Sequence, residues 1–123
     1  LSYLQQRTQF GRPLAAFQLN QEKLATCFAE IIQARLLALR VSRLKEQGRL
    51  SYGMVSLAKR SNVAAARRIA IVTRELLGAS GICDDYPIIR HLLNLESLYT
   101  YEGTDHVQAL IIGRYLTGDD AFS

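Results

Sequence analysis

One glutamate near the end of the chain stands in a setting that suits acid–base chemistry. Glu102 lies between Tyr101 and Gly103, after one helix-like segment and directly before another. A carboxylate in a short loop, followed by a residue without a side chain, can face a flat ligand without a clash. A general base must be held about 3 Å from the proton that it removes, which a rigid loop allows. Taken alone, a glutamate in this position is more often a solvated loop residue or part of a helix cap.

Three other positions have the chemistry to bind an anionic or electron-rich ligand. Thr104 can begin a helix, where its hydroxyl and the unpaired N–H groups of the first turn attract such a ligand. Arg7 precedes Phe10 and Gly11 just before a long helical segment, and an arginine there suits a pyrophosphate. The segment 77–81 ends a helix with two glycines that are able to adopt positive φ. Without further context, the arginine is a surface cation and the glycine turn is a helix cap.

The apolar pattern around these positions is helical throughout. Apolar residues recur at three- and four-residue steps, and no segment shows the two-residue alternation of a half-buried strand. The sequence therefore predicts an all-α fold, an antiparallel helix bundle with short connections. Four helices are predicted: from Gln18 to about Gln47, from a Ser51 cap to Gly78, from an Asp85 cap with Pro87 in the first turn to about Thr100, and from a Thr104 or Asp105 cap to Gly118.

The first of these helices, which Gly48 is expected to end, carries an excess of apolar residues. Besides one regular apolar face, it has large apolar residues on other faces, among them Ile32, Leu36 and Leu39. One buried stripe needs fewer apolar residues, so we expect this helix to pack on two sides. A catalytically silent bundle that only mediates assembly is therefore one hypothesis for the function.

Composition limits the other classes of function. The chain has 123 residues, 49% of them apolar and 21% charged, as expected of one folded domain. The net charge of +4 is spread along the helices, so nucleic-acid binding is the least favoured hypothesis. Cys27 and Cys83 lie far apart and lack metal-ligand spacing. We therefore predict no metal site and no disulfide framework, and a reducing compartment fits best.

Most enzyme motifs are missing from the sequence. It has no HExxH, no paired Glu and ExxH ligands, no GxGxxG, no P-loop and no GxSxG. His91 and His106 have few obvious partners, so a structural or solvated role is favoured for each. No apolar run approaches the roughly 18 to 20 residues of a membrane span, and the start lacks the layout of a signal peptide. Because Leu1 begins in the middle of helix-like sequence, we expect a fragment of a longer chain.

Three segments at helix ends together resemble the acyl-CoA dehydrogenases. They are RTQFG with Gln18, LLGASG and TYEGT, in the order and at about the spacing of that family. Residues 1–123 are similar to the family's C-terminal helical domain, with the first helix truncated. Segments such as RTQFGRPLAAFQLNQEKLA, MVSLAKR and ICDDYPIIRHLLNLE are most similar to the members that act on glutaryl-CoA.

The resemblance implies an FAD-dependent oxidoreductase that removes the α-proton of an acyl-CoA while the β-hydrogen leaves as hydride to FAD. In the members that act on glutaryl-CoA, the product then loses its terminal carboxylate as CO2 and becomes crotonyl-CoA, a step of lysine and tryptophan catabolism. The resemblance further implies a homotetramer or homodimer of the full-length chain, with electron-transfer flavoprotein as the electron acceptor. The compartment would be the bacterial cytoplasm or the mitochondrial matrix.

By match to the family motifs, Glu102 would be the base that takes the α-proton. Gly103 and Tyr101 would lie against the substrate, and Thr104, Asp105 and His106 would contact FAD. The FAD of a neighbouring subunit would be contacted by residues of the other two segments, namely Arg7, Phe10, Gln18, Glu75, Leu76, Leu77, Gly78 and Ala79. Phe122 matches a further flavin-contacting position.

Some residues depart from the family pattern. Many members have Gln in place of Glu75 and Gly-Asn in place of Ala79-Ser80, so the adenosine-side contacts are expected to differ in detail. Asp105-His106 is inverted relative to the His-Asp order of the glutaryl-CoA members, so a different acyl specificity stays an alternative. The domains that hold much of the flavin and the acyl chain are not in this sequence. The fragment alone is therefore expected to be inactive.

Overall fold

The computed structural model describes residues 1–121, in which four long helices pack together. The elements in chain order are α1 (Ser2–Gln6), β1 (Thr8–Gln9), β2 (Arg12–Pro13), α2 (Gln18–Glu46), α3 (Tyr52–Leu76), α4 (Ile88–Thr100) and α5 (Asp105–Thr117), with short 3-10 turns at Leu14–Ala16 and Gly78–Gly81. Helix α3 is central, because α2, α4 and α5 each pack mainly against it. The predicted all-α bundle is confirmed. No helix of the described part is long and apolar enough to cross a membrane.

Small residues let the other helices approach α3 closely. Gly53, Ser56, Ala65 and Ala70 are buried along its length, where larger side chains would force the helices apart. The helix begins as predicted, since the Ser51 hydroxyl accepts a hydrogen bond from the Met54 N–H at 3.4 Å. Four small residues thus allow the neighbouring helices to pack against the central helix.

Helix α2 has the predicted start and length, and the chain leaves it through Gly48 at φ +65°. Only one of its two expected packing faces is covered by the described residues, mainly by α3. The side chain of Asn62 on α3 reaches this interface and donates to the Ala34 carbonyl oxygen at 3.1 Å. Large apolar side chains stay exposed on α2, namely Leu19, Phe28, Ile31, Ile32, Leu36 and Leu39.

The predicted cap of α4 is wrong. Asp85 lies in an exposed turn, and the helix begins at Ile88 with Pro87 as the preceding cap residue and no side-chain cap. A capping side chain must belong to the residue at the helix boundary, and Asp85 lies two residues too early. For α5, the structure selects Thr104 of the two candidates, since its hydroxyl accepts from the Val107 N–H at 3.3 Å. Gly118 ends α5 at φ +82°, as predicted.

A short hairpin near the start was not predicted. Strands β1 and β2 pair antiparallel around Phe10 and Gly11, which have φ of +52° and +77°. Two consecutive positive φ values are those of a type I′ turn, which matches the twist of a tight hairpin. Each strand has only two residues, too few to produce an alternating pattern in the sequence.

The contact between α3 and α5 leads to a test of the packing. A Cβ atom added to Gly53 would lie 2.2 Å from Cγ of Tyr115, whose ring packs edge-on against Tyr52. Gly53→Ala should therefore lower the free energy of unfolding by about 1–3 kcal/mol through overpacking. Thermal unfolding followed by circular dichroism measures the effect.

Gly113→Ala is the matched control, because a Cβ at this position in α5 meets nothing within 4 Å. Removing a helix-interior glycine there should stabilise the chain by about 0.5–1 kcal/mol. Equal effects of the two substitutions would show that the close approach at Gly53 is not needed.

Candidate functional site

The loop between α4 and α5 holds Glu102 in an uncommon backbone conformation. Tyr101 is extended, and then Glu102 and Gly103 follow with φ of +54° and +89°. Among residues 1–121, only Glu102 and Phe10 are non-glycine residues with positive φ. Such a conformation costs about 1–3 kcal/mol and persists only where the surroundings impose it. The Glu102 side chain itself is exposed.

Two side chains from neighbouring helices hold this loop by its carbonyl oxygens. The ammonium of Lys59 on α3 donates to the carbonyls of Tyr101, Glu102 and Gly103, at 3.0 Å in the case of Glu102. The side-chain amide of Gln108 on α5 donates to the carbonyl oxygens of Glu102 at 3.1 Å and Gly103 at 3.3 Å. We call Lys59 and Gln108 the loop clamp.

Gly103 is required for two separate reasons. Its φ of +89° lies in the region that favours glycine. A Cβ atom at this position would also lie 2.6 Å from Nε2 of Gln108, which is buried beneath the loop. Any larger residue would therefore push against one member of the clamp as well as strain the backbone.

The two residues after the Thr104 cap differ in their surroundings. Asp105 is largely buried, and its carboxylate pairs with the Arg60 guanidinium across the α3–α5 contact at 3.2 Å. His106 is exposed. Of the three positions matched to flavin contacts here, Thr104 and Asp105 thus already have structural partners within the chain.

A second candidate site lies at the far end of α3. A cleft of about 470 Å³ brings Arg7 together with residues 75–79, which the sequence analysis had matched to one flavin. The rest of its lining is Tyr3, Gln9, Leu14, Asn20, Lys23 and Ser80. Gly78 turns the chain at φ +58° after the end of α3. Two of the three matched segments therefore meet in space.

The carboxylate of Glu75 is paired within this cleft. Lys23 of α2 donates to Oε2 of Glu75 at 2.9 Å. That hydrogen bond, with the attraction of the ammonium, holds the pKa of Glu75 below its ordinary value. Arg7 makes no ion pair within the described residues, so the cleft keeps one uncompensated cation to meet an anionic ligand.

Two described positions, Phe10 and Gln18, were matched to the same flavin but do not line the cleft. Phe10 is 92% exposed at the tip of the hairpin and packs edge-on against Phe17, with ring centroids 6.3 Å apart. Gln18 is the exposed first residue of α2. Phe122 lies outside the described residues.

The two candidate sites are separate. Lys59 touches the Glu102 loop, and Glu75, which lines the cleft, lies sixteen positions further along α3. At the helical rise per residue, this places them about 24 Å apart. The described chain therefore carries two separate candidate sites.

Sequence reasoning missed Lys59, Gln108 and Lys23. Each lies inside a helix, where a polar residue normally indicates a solvated face. The partners of Lys59 and Lys23 are 43 and 52 residues away in the chain. Gln108 gave the one local signal in the sequence, because its neighbours Val107 and Ile111 are apolar. In the structure Gln108 is buried.

Comparison with known proteins identifies the family. Residues 1–117 match the family model "Acyl-CoA dehydrogenase, C-terminal domain". The chain is 34% identical over 113 residues to glutaryl-CoA dehydrogenase from Desulfococcus multivorans, covering 91% of the chain and 29% of that relative. The chain belongs to the acyl-CoA dehydrogenase family, a family of FAD-dependent enzymes.

Solved structures give the same result. A glutaryl-CoA dehydrogenase from Mycobacterium smegmatis is 49% identical, with a TM-score of 0.96 over 99% of this chain and 32% of that chain. A second structure of a glutaryl-CoA dehydrogenase from that organism, in complex with FADH2, is 44% identical with the same TM-score and the same coverage. The sequence described here thus spans about a third of the length of these relatives.

The ion pair in the cleft makes a testable prediction on pH. Because Lys23 depresses the pKa of Glu75, the pair stabilises the fold above the ordinary value of 4.5 and is lost as pH falls through the lower folded value. An NMR titration of the Glu75 carboxyl carbon should give a midpoint below 4.5. Lys23→Met should return it towards the ordinary value, while Lys45→Met should not. An unchanged midpoint in Lys23→Met would contradict the pairing.

Proposed function

We propose that this chain is the C-terminal part of a longer FAD-dependent acyl-CoA dehydrogenase in which Glu102 removes the α-proton of the acyl-CoA. The observation that carries the proposal is the positive-φ loop between α4 and α5, which presents an exposed carboxylate held only through its main chain. A base needs that combination of a fixed backbone and a carboxylate without an internal partner. No ion pair engages Glu102 among the described residues.

The chain's own groups fit a dinucleotide cofactor. When bound, FAD supplies the hydride acceptor for the β-hydrogen of the substrate. The cleft carries the cation of Arg7 and the turn at Gly78, both suited to a pyrophosphate and its adenosine side. At the other site, Tyr101 and Gly103 flank the carboxylate, where they would lie against the thioester end of the substrate.

The separation of the two sites supports an assembly of subunits. The cleft lies about 24 Å along α3 from Lys59, which holds the Glu102 loop, and this separation suits a cofactor molecule other than the one beside Glu102. On this proposal, the full-length protein is a homodimer or homotetramer in which Arg7 and residues 75–79 reach the FAD of a neighbouring subunit. The exposed apolar face of α2 provides surface for that assembly.

For the substrate we propose glutaryl-CoA, with oxidation followed by loss of its terminal carboxylate as CO2 to give crotonyl-CoA. Identities of 44% and 49% to solved glutaryl-CoA dehydrogenases support this choice. Electron-transfer flavoprotein is the proposed acceptor of the electrons. The Asp105-His106 order leaves the acyl specificity as the point to test.

The role of Glu102 can be tested in the full-length protein. Glu102→Gln keeps the size of the side chain and removes the base, so flavin reduction by substrate should slow by at least about 10²-fold. Flavin content and ligand binding should be kept. Stopped-flow absorbance measures the rate, and Glu46→Gln, an exposed glutamate at the end of α2, is the control. A normal rate in Glu102→Gln would end the assignment.

The substrate can be tested with two acyl-CoAs. The full-length protein is mixed separately with glutaryl-CoA and butyryl-CoA, and flavin bleaching and CO2 release are followed. We expect bleaching and CO2 with glutaryl-CoA. Bleaching by butyryl-CoA without CO2 from glutaryl-CoA would instead identify a family member with another acyl specificity, and a parent without flavin would favour an assembly module.

A further inference from the structure

The Glu102 loop has a strained backbone conformation that its own residues do not stabilise. Two successive residues with positive φ turn the chain sharply between α4 and α5, and one of them is a glutamate. An unconstrained glutamate does not favour positive φ, because its Cβ crowds the main chain in that region. The carboxylate direction is therefore fixed only if contacts from outside the loop hold the backbone.

Lys59 meets this requirement from α3. Its ammonium donates to three consecutive carbonyl oxygens, those of residues 101 to 103, and so uses all three of its donor positions on one turn of main chain. The same ammonium lies 5.9 Å from the centroid of the Tyr101 ring. Three converging carbonyls define the path of the chain on both sides of Glu102.

Gln108 on α5 is the second residue outside the loop that holds its backbone. Its buried amide donates to two of the same three oxygens, those of Glu102 and Gly103. The loop is thus held between two rigid helices that are themselves packed together. Neither donor makes a described hydrogen bond or ion pair with the Glu102 carboxylate, and both donate to the main-chain carbonyl oxygens of the loop.

We infer that Lys59 and Gln108 are positioning residues for the reaction, acting through the backbone conformation of Glu102 and not on the substrate. The inference rests on the proposed role of Glu102 as the base. It differs from a purely structural role, in which loss of either residue would lower stability but leave the rate of the folded enzyme unchanged.

The test is a double-mutant cycle in the full-length flavoprotein with glutaryl-CoA or whichever acyl-CoA reduces its flavin. Lys59→Met keeps the length of the side chain and removes the donors. Single-turnover flavin reduction should fall about 10- to 100-fold, the scale of a misplaced catalytic group, with little change in the substrate concentration for half-maximal rate. Lys45→Met, on the exposed surface of α2, should leave both quantities unchanged.

The second arm of the cycle separates positioning from other effects. In a Glu102→Gln background there is no base to misplace, so adding Lys59→Met should cause little further loss. The same fractional loss in both backgrounds would overturn the inference, because Lys59 would then act independently of Glu102. If Glu102→Gln alone reduces flavin at the normal rate, the proposed role of Glu102 as the base is refuted. That result can be told apart from equal losses in the two backgrounds, which would refute only the positioning role of Lys59.

A readout without turnover completes the test. Hydrogen exchange of the segment 99–106 should quicken in Lys59→Met, while exchange in the middle of α3 stays as in the parent. Unchanged exchange in the loop would also overturn the inference. Should Lys59→Met not fold, Gln108→Leu takes its place in both experiments, with the same pattern expected and a smaller effect because a neutral amide is a weaker donor than an ammonium.

Discussion

The packing of every long helix against α3 is the constraint on which the rest of this domain depends. Its buried residues are glycine, serine and alanine, so α2, α4 and α5 all approach closely along one axis. Functional groups attached to α3 or held by it then have fixed separations, as sites on rigid elements do. Lys59 lies under the loop that carries Glu102 and Glu75 lines the cleft, and the helix between them fixes their distance.

The distance between the two candidate sites bears on how the chain is proposed to act in a longer enzyme. On the proposed function, one chain supplies a base to one flavin and a cation-lined cleft to another, so the active centre is divided among subunits. Interface contacts then contribute directly to cofactor binding, since a site completed by two chains is lost when they part. The apolar surface that α2 leaves uncovered in the described chain is consistent with such a use.

The local signals in the sequence predicted the bundle well and its long-range contacts poorly. Gly48, Ser51 and Gly118 mark helix ends through backbone chemistry that acts within a few residues. The predicted start of α4 was wrong because Asp85 is a residue type that caps helices but lies two residues before the helix boundary. The loop clamp had no local signature, because Lys59 meets partners more than forty residues away. Glu102 was singled out by its resemblance to the family motif, whereas its backbone conformation came only from the structure.

The loop clamp holds the Glu102 loop through its main chain and not through the Glu102 side chain. On the proposed function, Glu102 must keep its carboxylate oxygens available to the substrate, so a partner that held it through its side chain would compete with the proton it is to accept. Donors aimed at carbonyl oxygens avoid this conflict and still fix the Cα–Cβ direction. Lys59 is suited to this because one ammonium can serve several carbonyls at once, and Gln108 because its buried amide needs such acceptors. The strained turn then directs the carboxylate outward without occupying it.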